Sequence, residues 1–401
     1  MALHIFTLTS PLHDKKLVST ATQAFLDSLT HDYVLHEDDF TAYGHVQPAV
    51  IFVRTGGTEG LFRTLLPELR AKADGAPFVL LASATSNSLA ASLEILSYLR
   101  QQGLRGEILH GETSYVGARI AALERAAQAR AKLQGARYGV IGQPSDWLIS
   151  SQADYEAVRR KLGVELIDIP MERLLNVYEE TPVSPLAISS DRPEVQQALP
   201  GAMRIYEALA RLVREEALQG FTLRCFDLLT AVRNTGCMAL ARLGAEGFTA
   251  GCEGDVPAML SMAIVRMLLG TSSFQSNPAS INPSTGELLM AHCTIPLDLV
   301  SRYELDTHFE SGIGVGICGY AEAGAVTLFK VSGDLSECFA AEATLTQCTA
   351  APNLCRTQFH LRLDHPTDAN YFLTRPIGNH HVVLPGRHAA ELRQFCEALQ
   401  G

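Results

Sequence analysis

The sequence predicts two parallel-sheet α/β domains of Rossmann-like or flavodoxin-like type, followed by an antiparallel β-rich C-terminal domain. Three observations carry this expectation. Strand and helix signals alternate as far as residue 270, the pattern that βαβ units and parallel sheets produce. Beyond residue 270, short strand-like runs follow one another with turns between them. Finally, 401 residues exceed one ordinary core and suit two or three domains.

The elements follow in order. Residues 2–8 read as an apolar strand and 16–29 as a helix. The buried-type strand 49–53 ends in the turn 54–59 and leads into the helix 61–71. Strand 78–82, helix 88–102, strand 107–109 and the long helix 115–133 complete a first domain at residues 1–136. A second run of the same kind begins at 138–142 and continues through the strand 164–169 and the helix 194–218. The strand 221–228, helix 236–243, strand 248–252 and apolar helix 256–269 then close a central domain at 137–290. The proline- and serine-containing stretch 179–193 reads as a loop. Residues 288–293, 314–319, 325–331, 358–363 and 380–384 are strand-like, and a helix returns at 389–399, giving a β-rich domain at 291–401.

Composition narrows the function. A hydrophobic share of 47% and a charged share of 19% belong to a globular chain. The net charge of −11, with no basic stripe, argues against a nucleic acid partner. No apolar run reaches the length that spans a bilayer, so no membrane partner is expected. Residues 1–11 read as a first strand and not as a signal peptide. The nine cysteines are odd in number and without CxxC spacing, unlike a secreted disulfide framework or a structural zinc site. Most read as small buried apolar residues, and the expected address is the cytoplasm.

Several polar positions stand out against this background. Glu253 lies where the strand 248–252 hands over to a helix, between Cys252 and Gly254. In open α/β sheets that is where ligands bind. Asp255 precedes Val256, Pro257 and an apolar helix, so its plain reading is an N-cap. Glu253 has no such local task. His292 ends an apolar strand, where an imidazole needs a partner, either a core carbonyl or a ligand. His380 and His381 open another strand, and adjacent strand residues face opposite ways, so one of the pair can face a site. The turn containing Gly56, Gly57, Thr58 and Glu59 suits anions or sugar hydroxyls, or is simply a tight turn with Thr58 as cap. Gly314, Gly316 and Gly319 match the dinucleotide fingerprint GxGxxG, but a turn and a strand follow where a helix is required. No nucleotide cofactor is expected there.

Taken in order, these segments resemble the L-fucose/L-arabinose isomerase-like superfamily. The similarity is closest over residues 221–331 and 371–399. Its carriers are 236–243 (Gly-Cys-Met-Ala-Leu-Ala-Arg-Leu), 251–255 (Gly-Cys-Glu-Gly-Asp) and 291–293 (Ala-His-Cys). Residues 308–316 (His-Phe-Glu-Ser-Gly-Ile-Gly-Val-Gly) and 378–383 (Gly-Asn-His-His-Val-Val) complete the set. The resemblance implies a homo-oligomer, a trimer or hexamer, with Mn²⁺ held by carboxylate and imidazole. Glu253 falls on the glutamate of the family's Glu-Gly-Asp or Glu-Asn-Asp motif, His292 on its Ala-His motif, and His380 or His381 on its C-terminal ligand. Hard oxygens with imidazole suit Mn²⁺ better than thiolates do. The implied activity is aldose–ketose isomerisation of a pentose or 6-deoxyhexose through a cis-enediol. Glu253 and Asp255 are then the candidate acid/base groups, and Gly56, Gly57, Thr58, Glu59, Asn277 and Asn379 the candidate sugar contacts. One departure matters. Ser276 and Asn277 stand where the isomerases carry a second acidic ligand, so a weaker metal site is expected unless Asp255, Asp306 or Glu310 substitutes. The alternative is a non-catalytic carbohydrate-binding or regulatory relative.

Overall fold

A computed structural model describes residues 2–29, 31–73, 75–183 and 188–399. The chain divides into two compact units, residues 1–131 with 397–401, and residues 132–396.

The first unit alternates strand and helix: β1 (Leu3–Leu8), α1 (Lys15–Ser28), β2 (Tyr33–Glu37), β3 (Ala49–Val53), α2 (Glu59–Ala73), β4 (Phe78–Ala82), α3 (Ser88–Gln101) and β5 (Gly106–Leu109), with α4 (Thr113–Leu133) beginning in it. The strands form one parallel sheet in the order β2-β1-β3-β4-β5. Alternation along each strand supplies both faces. Phe6, Ile51 and Leu80 join one core with Phe62 and Ile95. Their neighbours Ile5, Val50 and Leu81 join the other with Leu26 and Ile120. The strand β2 is an addition to the expected set. It lies at the sheet edge and pairs only with β1 among the described strands, so it lacks the continuous apolar run that marks a buried strand. Gly56, Gly57 and Thr58 form the turn from β3 into α2, and Glu59 is the first residue of that helix. Gly57 has φ +77°, and the Thr58 hydroxyl donates to Thr55 O at 3.0 Å instead of accepting from the helix.

The second unit opens with β6 (Arg137–Ile141), α5 (Tyr155–Leu162), β7 (Glu165–Ile169), α6 (Met171–Glu180), α7 (Pro193–Glu215), β8 (Gly220–Leu223), α8 (Cys225–Val232), α9 (Cys237–Ala245), β9 (Thr249–Cys252) and α10 (Val256–Leu269). Its sheet is parallel, in the order β7-β6-β8-β9. The expected strand 221–228 ends early, because residues 225–232 are the helix α8. An apolar run of that length suits either element, and periodicity alone does not separate them. Of the expected loop 179–193, Glu179 and Glu180 belong to α6, and residues 184–187 lie outside the described residues.

The remaining strands are β10 (Phe274–Asn282), β11 (Glu287–His292), β12 (Arg302–Asp306), β13 (Gly316–Tyr320), β14 (Gly324–Val331), β15 (Cys338–Thr349), β16 (Thr357–Leu363) and β17 (His381–Pro385), with α11 (Ala369–Thr374) and α12 (Ala389–Ala398). Six of them close an antiparallel barrel in the order β10-β11-β16-β15-β14-β17, and β12 pairs with β13. The fold class is therefore as predicted, with the β-rich part closed into a barrel. The first barrel strand, β10, was not expected, since its sequence is polar and contains Pro278. The proline sits where the β10–β11 register shifts, a position that tolerates a missing N–H. Barrel residues Phe274, Met290, Leu328, Phe359 and Val383 share one core with Val195, Leu199 and Ala202 of α7. The apolar helix α10 contacts β9 and β14 and is buried on almost every side. Its N-terminus is thereby fixed between the second parallel sheet and the barrel. Among the described residues, no helix is long and apolar enough to cross a membrane.

Candidate metal centre

The turn between β9 and α10 sets up the site. Gly254 and Asp255 reverse the chain, with Gly254 at φ +62°, and Gly254 N–H donates to Leu223 O at 3.0 Å. Glu253 also has a positive φ, +61°, a conformation that a non-glycine residue adopts at a cost. The turn is held from both sides. Ser145 donates its hydroxyl to Glu253 O. The buried amide of Gln275 on β10 receives Cys252 N–H at 2.9 Å and donates to Cys252 O at 3.2 Å. With its backbone clamped, Glu253 points its carboxylate toward the barrel.

Two histidines meet it there. His292, at the end of β11, places Nε2 3.3 Å from Glu253 Oε1. His380, immediately before β17, places Nε2 3.6 Å from the same oxygen. The two rings lie 5.2 Å apart between centroids. Both Nε2 atoms are buried, and neither has a hydrogen-bond partner. Among the described residues, Glu253, His292 and His380 are the group of three whose ligand atoms, one from each, lie within 4.8 Å of one another.

The far side of each ring is engaged. His292 Nδ1 lies 3.0 Å from Thr294 Oγ1. His380 Nδ1 lies 2.9 Å from Asp255 Oδ2. The Asp255 carboxylate only accepts, so it places the proton on His380 Nδ1 and leaves Nε2 free to ligate, while the Thr294 hydroxyl holds the His292 ring in orientation. Asp255 is the N-cap the sequence suggested, accepting from Ala258 N–H at 2.7 Å, and it is fully buried. Beside it, Lys330 on β14 brings Nζ to 3.5 Å from Asp255 Oδ1, itself fully buried. Asp255 thus serves the helix, His380 and Lys330, and it does not line the cavity.

The charges follow from this packing. Burial works against ionising Glu253, yet His292 and His380 hold its carboxyl well below the ordinary carboxylate range. Burial opposes ionisation of Asp255 as well, and Lys330 with His380 holds it down at about 2. Burial disfavours a charged His380, but Asp255 and Glu253 raise it to about 9. Burial lowers Lys330 against the pull of Asp255.

His381 stands outside the group. Its Nε2 lies 2.9 Å from the Tyr371 hydroxyl and its Nδ1 3.0 Å from Asn379 O, and burial with Lys330 lowers it to about 3. Of the two adjacent histidines it is therefore His380 that faces Glu253, as strand alternation allows. Asn379 is exposed and meets His381 through its backbone. Ser276 donates to His381 O at 3.3 Å, while Asn277 turns into the cavity, where its Oδ1 is buried without a hydrogen-bond partner. Asp306 is engaged by Arg192 at 2.7 Å and by Arg356 at 3.7 Å. Gly56, Gly57, Thr58 and Glu59 belong to the first unit.

The cavity in front of Glu253 is about 40 Å³, space for an ion and water. Its wall includes Phe226, Leu229, His292, His308, Glu310 and five cysteines. Sequence reading missed Lys330 and Gln275, although a lone lysine in the run Val326–Val331 was a visible signal.

No family model matches the chain. Two proteins named sulfoquinovose isomerase, from Priestia aryabhattai and Priestia megaterium, are each 22% identical to it over 212 residues. The alignment covers 49% of this chain and 47% of each relative, so the chain spans about half the length of the curated relatives it matches. The chain is thus a distant relative of a sugar isomerase.

Proposed function

We propose that this chain is a metal-dependent aldose–ketose isomerase of the L-fucose/L-arabinose isomerase-like kind, acting on an uncharged pentose or 6-deoxyhexose. The observation that carries this reading is the pair of buried, unpartnered Nε2 atoms of His292 and His380 aimed at one oxygen of Glu253. Two imidazole nitrogens with an ionised carboxylate fit a divalent cation of intermediate hardness such as Mn²⁺. Without an ion, one oxygen of Glu253 is, among the described residues, the sole polar group that both buried nitrogens face.

When bound, the ion would supply the Lewis acid that polarises the sugar's carbonyl and acidifies the neighbouring C–H. The chain's own residues do the rest. His292 and His380 are oriented by Thr294 and Asp255, and Glu253 is kept ionised by both imidazoles. Glu253 and Glu310 are the carboxylates on the cavity wall, and this reading gives them the proton transfer between adjacent carbons. Asp255 acts through His380 as a positioning residue. Asn277 offers a neutral amide oxygen where the isomerases have a carboxylate, which lowers the expected affinity for the ion.

The preference for an uncharged sugar rests on the wall itself. Its acidic groups, thiols and the apolar Phe226 and Leu229 suit hydroxyls and a methyl group, and none of the lining side chains is Lys or Arg. A homo-oligomer and a cytoplasmic address belong to the same reading. The test is a coupled assay for ketose formation from L-arabinose, L-fucose and sulfoquinovose, with and without Mn²⁺. Mn²⁺-dependent turnover of a neutral sugar is expected. A preference for sulfoquinovose would overturn the substrate class. Saturable sugar binding without turnover would favour the non-catalytic reading, which the neutral pair Ser276 and Asn277 supports.

A further inference from the structure

Five of the nine cysteines, Cys225, Cys237, Cys252, Cys293 and Cys355, line the cavity in front of Glu253. Proton transfer between sugar carbons uses none of them. Two are in contact. Cys252 closes β9 immediately before Glu253, and Cys225 opens α8 just past the end of β8. The strands β8 and β9 are parallel neighbours with Leu223 opposite Cys252, so both thiols arrive at the same sheet end. There Cys252 Sγ donates to Cys225 Sγ at 3.4 Å.

We propose that Cys225 and Cys252 form a redox-active dithiol whose internal disulfide closes across the cavity wall. The sulfurs must approach to about 2.05 Å, a shift that side-chain rotation and a small backbone adjustment can supply. Cys225 is the half-buried member, whereas Cys252 is 3% exposed, so an external disulfide meets Cys225 first. With oxidised glutathione as oxidant, Cys225 sulfur attacks one glutathione sulfur, and the first glutathione leaves carrying the thiol proton. Cys252 sulfur then attacks Cys225 sulfur, the mixed S–S bond breaks, and the second glutathione leaves with the second proton. Two protein thiols are oxidised and one glutathione disulfide is reduced. The new bond ties the residue before Glu253 to the start of α8, so oxidation is expected to disturb the Glu253 carboxylate. That consequence rests on the metal-site reading; disulfide formation does not.

The experiment incubates the full reduced chain with graded ratios of oxidised to reduced glutathione, alkylates the remaining thiols, and maps peptides by mass spectrometry without reduction. The expected result is a peptide pair linked through Cys225 and Cys252, reversed by dithiothreitol and absent from Cys225→Ser and from Cys252→Ala. Glutathione adducts that never resolve, or a link between Cys293 and Cys355 with Cys225 and Cys252 both alkylated, would overturn it. Mn²⁺ titration of the two redox forms then tests the coupling, with affinity expected to fall at least about tenfold on oxidation, as for other disturbances around a ligand. Equal affinity removes the coupling and leaves the disulfide. If the reduced chain binds no Mn²⁺, the metal reading fails while the peptide map still decides the disulfide.

Discussion

His380 and His381 are neighbours in sequence with opposite electrostatic fates. His380 is raised to about 9 by two carboxylates against the cost of burial, while His381 is lowered to about 3 by burial and Lys330. Between the ordinary histidine value of 6.5 and about 9, the metal-free folded chain holds a proton on His380 that the unfolded chain has lost, so stability falls as pH rises. Between about 3 and 6.5, the unfolded chain protonates His381 and the folded chain does not, so stability falls as pH drops. The melting temperature of metal-free protein should therefore peak near pH 6.5. His380→Gln should flatten the alkaline limb and His381→Gln the acid limb. An unchanged profile in both variants would refute this. Lys330→Met removes the buried cation beside Asp255, leaving His380 as its one charged partner among the described residues, and should cost about 3–5 kcal/mol by chemical denaturation, with partial recovery on adding Asp255→Asn. Glu253 and His292 were legible because each is a polar residue at the end of an apolar strand. The roles of Lys330 and Gln275 were not, because their partners lie 75 and 23 residues away in sequence.

The β9–α10 turn decides whether Glu253 can be presented at all. A Cβ on Gly254 would come within 2.9 Å of Gln143 O and 3.0 Å of Ser145 N, both backbone atoms, at a positive φ. Gly254→Ala should therefore cost more than the about 1 kcal/mol of the backbone conformation alone, and lower the melting temperature by several degrees. Wild-type stability in that variant would mean the turn relaxes freely. Gln275→Ala removes both hydrogen bonds to Cys252 and should cost about 1–3 kcal/mol, while Gln275→Glu should fail to replace them because it cannot donate to Cys252 O. Element by element, the parallel sheets apart from the edge strand β2 could be read from their apolar runs, and the cap at Asp255 from the Val256-Pro257 that follows it. The strand β10 and the helix α8 could not. The first carries polar residues that turn to a partner 23 residues back, and the second is an apolar run too short for its period to speak.

At the scale of the molecule, the site exists because α10 is packed between a parallel sheet and a closed barrel. Glu253 comes from the sheet side, and His292 and His380 from β11 and the residue before β17. The fold class was foreseeable from the sequence, as were Glu253, His292 and the His380–His381 pair as candidates; which histidine of the pair faces Glu253 and the closure that assembles the group were not, since strand order in a barrel leaves no local mark. The proposed homo-oligomer is checked by light scattering of purified protein at micromolar concentration, where a stable monomer would remove it. The claim on which the rest depends is that Glu253, His292 and His380 hold a divalent ion. Calorimetric titration of metal-free protein with Mn²⁺ tests it most directly, using Glu253→Gln and His292→Ala as controls that remain folded by circular dichroism. The expected result is one Mn²⁺ per chain, with affinity reduced by more than about 100-fold in either variant, beyond what the loss of an outer partner causes. Equal Mn²⁺ binding by wild type and both variants, or none by the wild type, would contradict it.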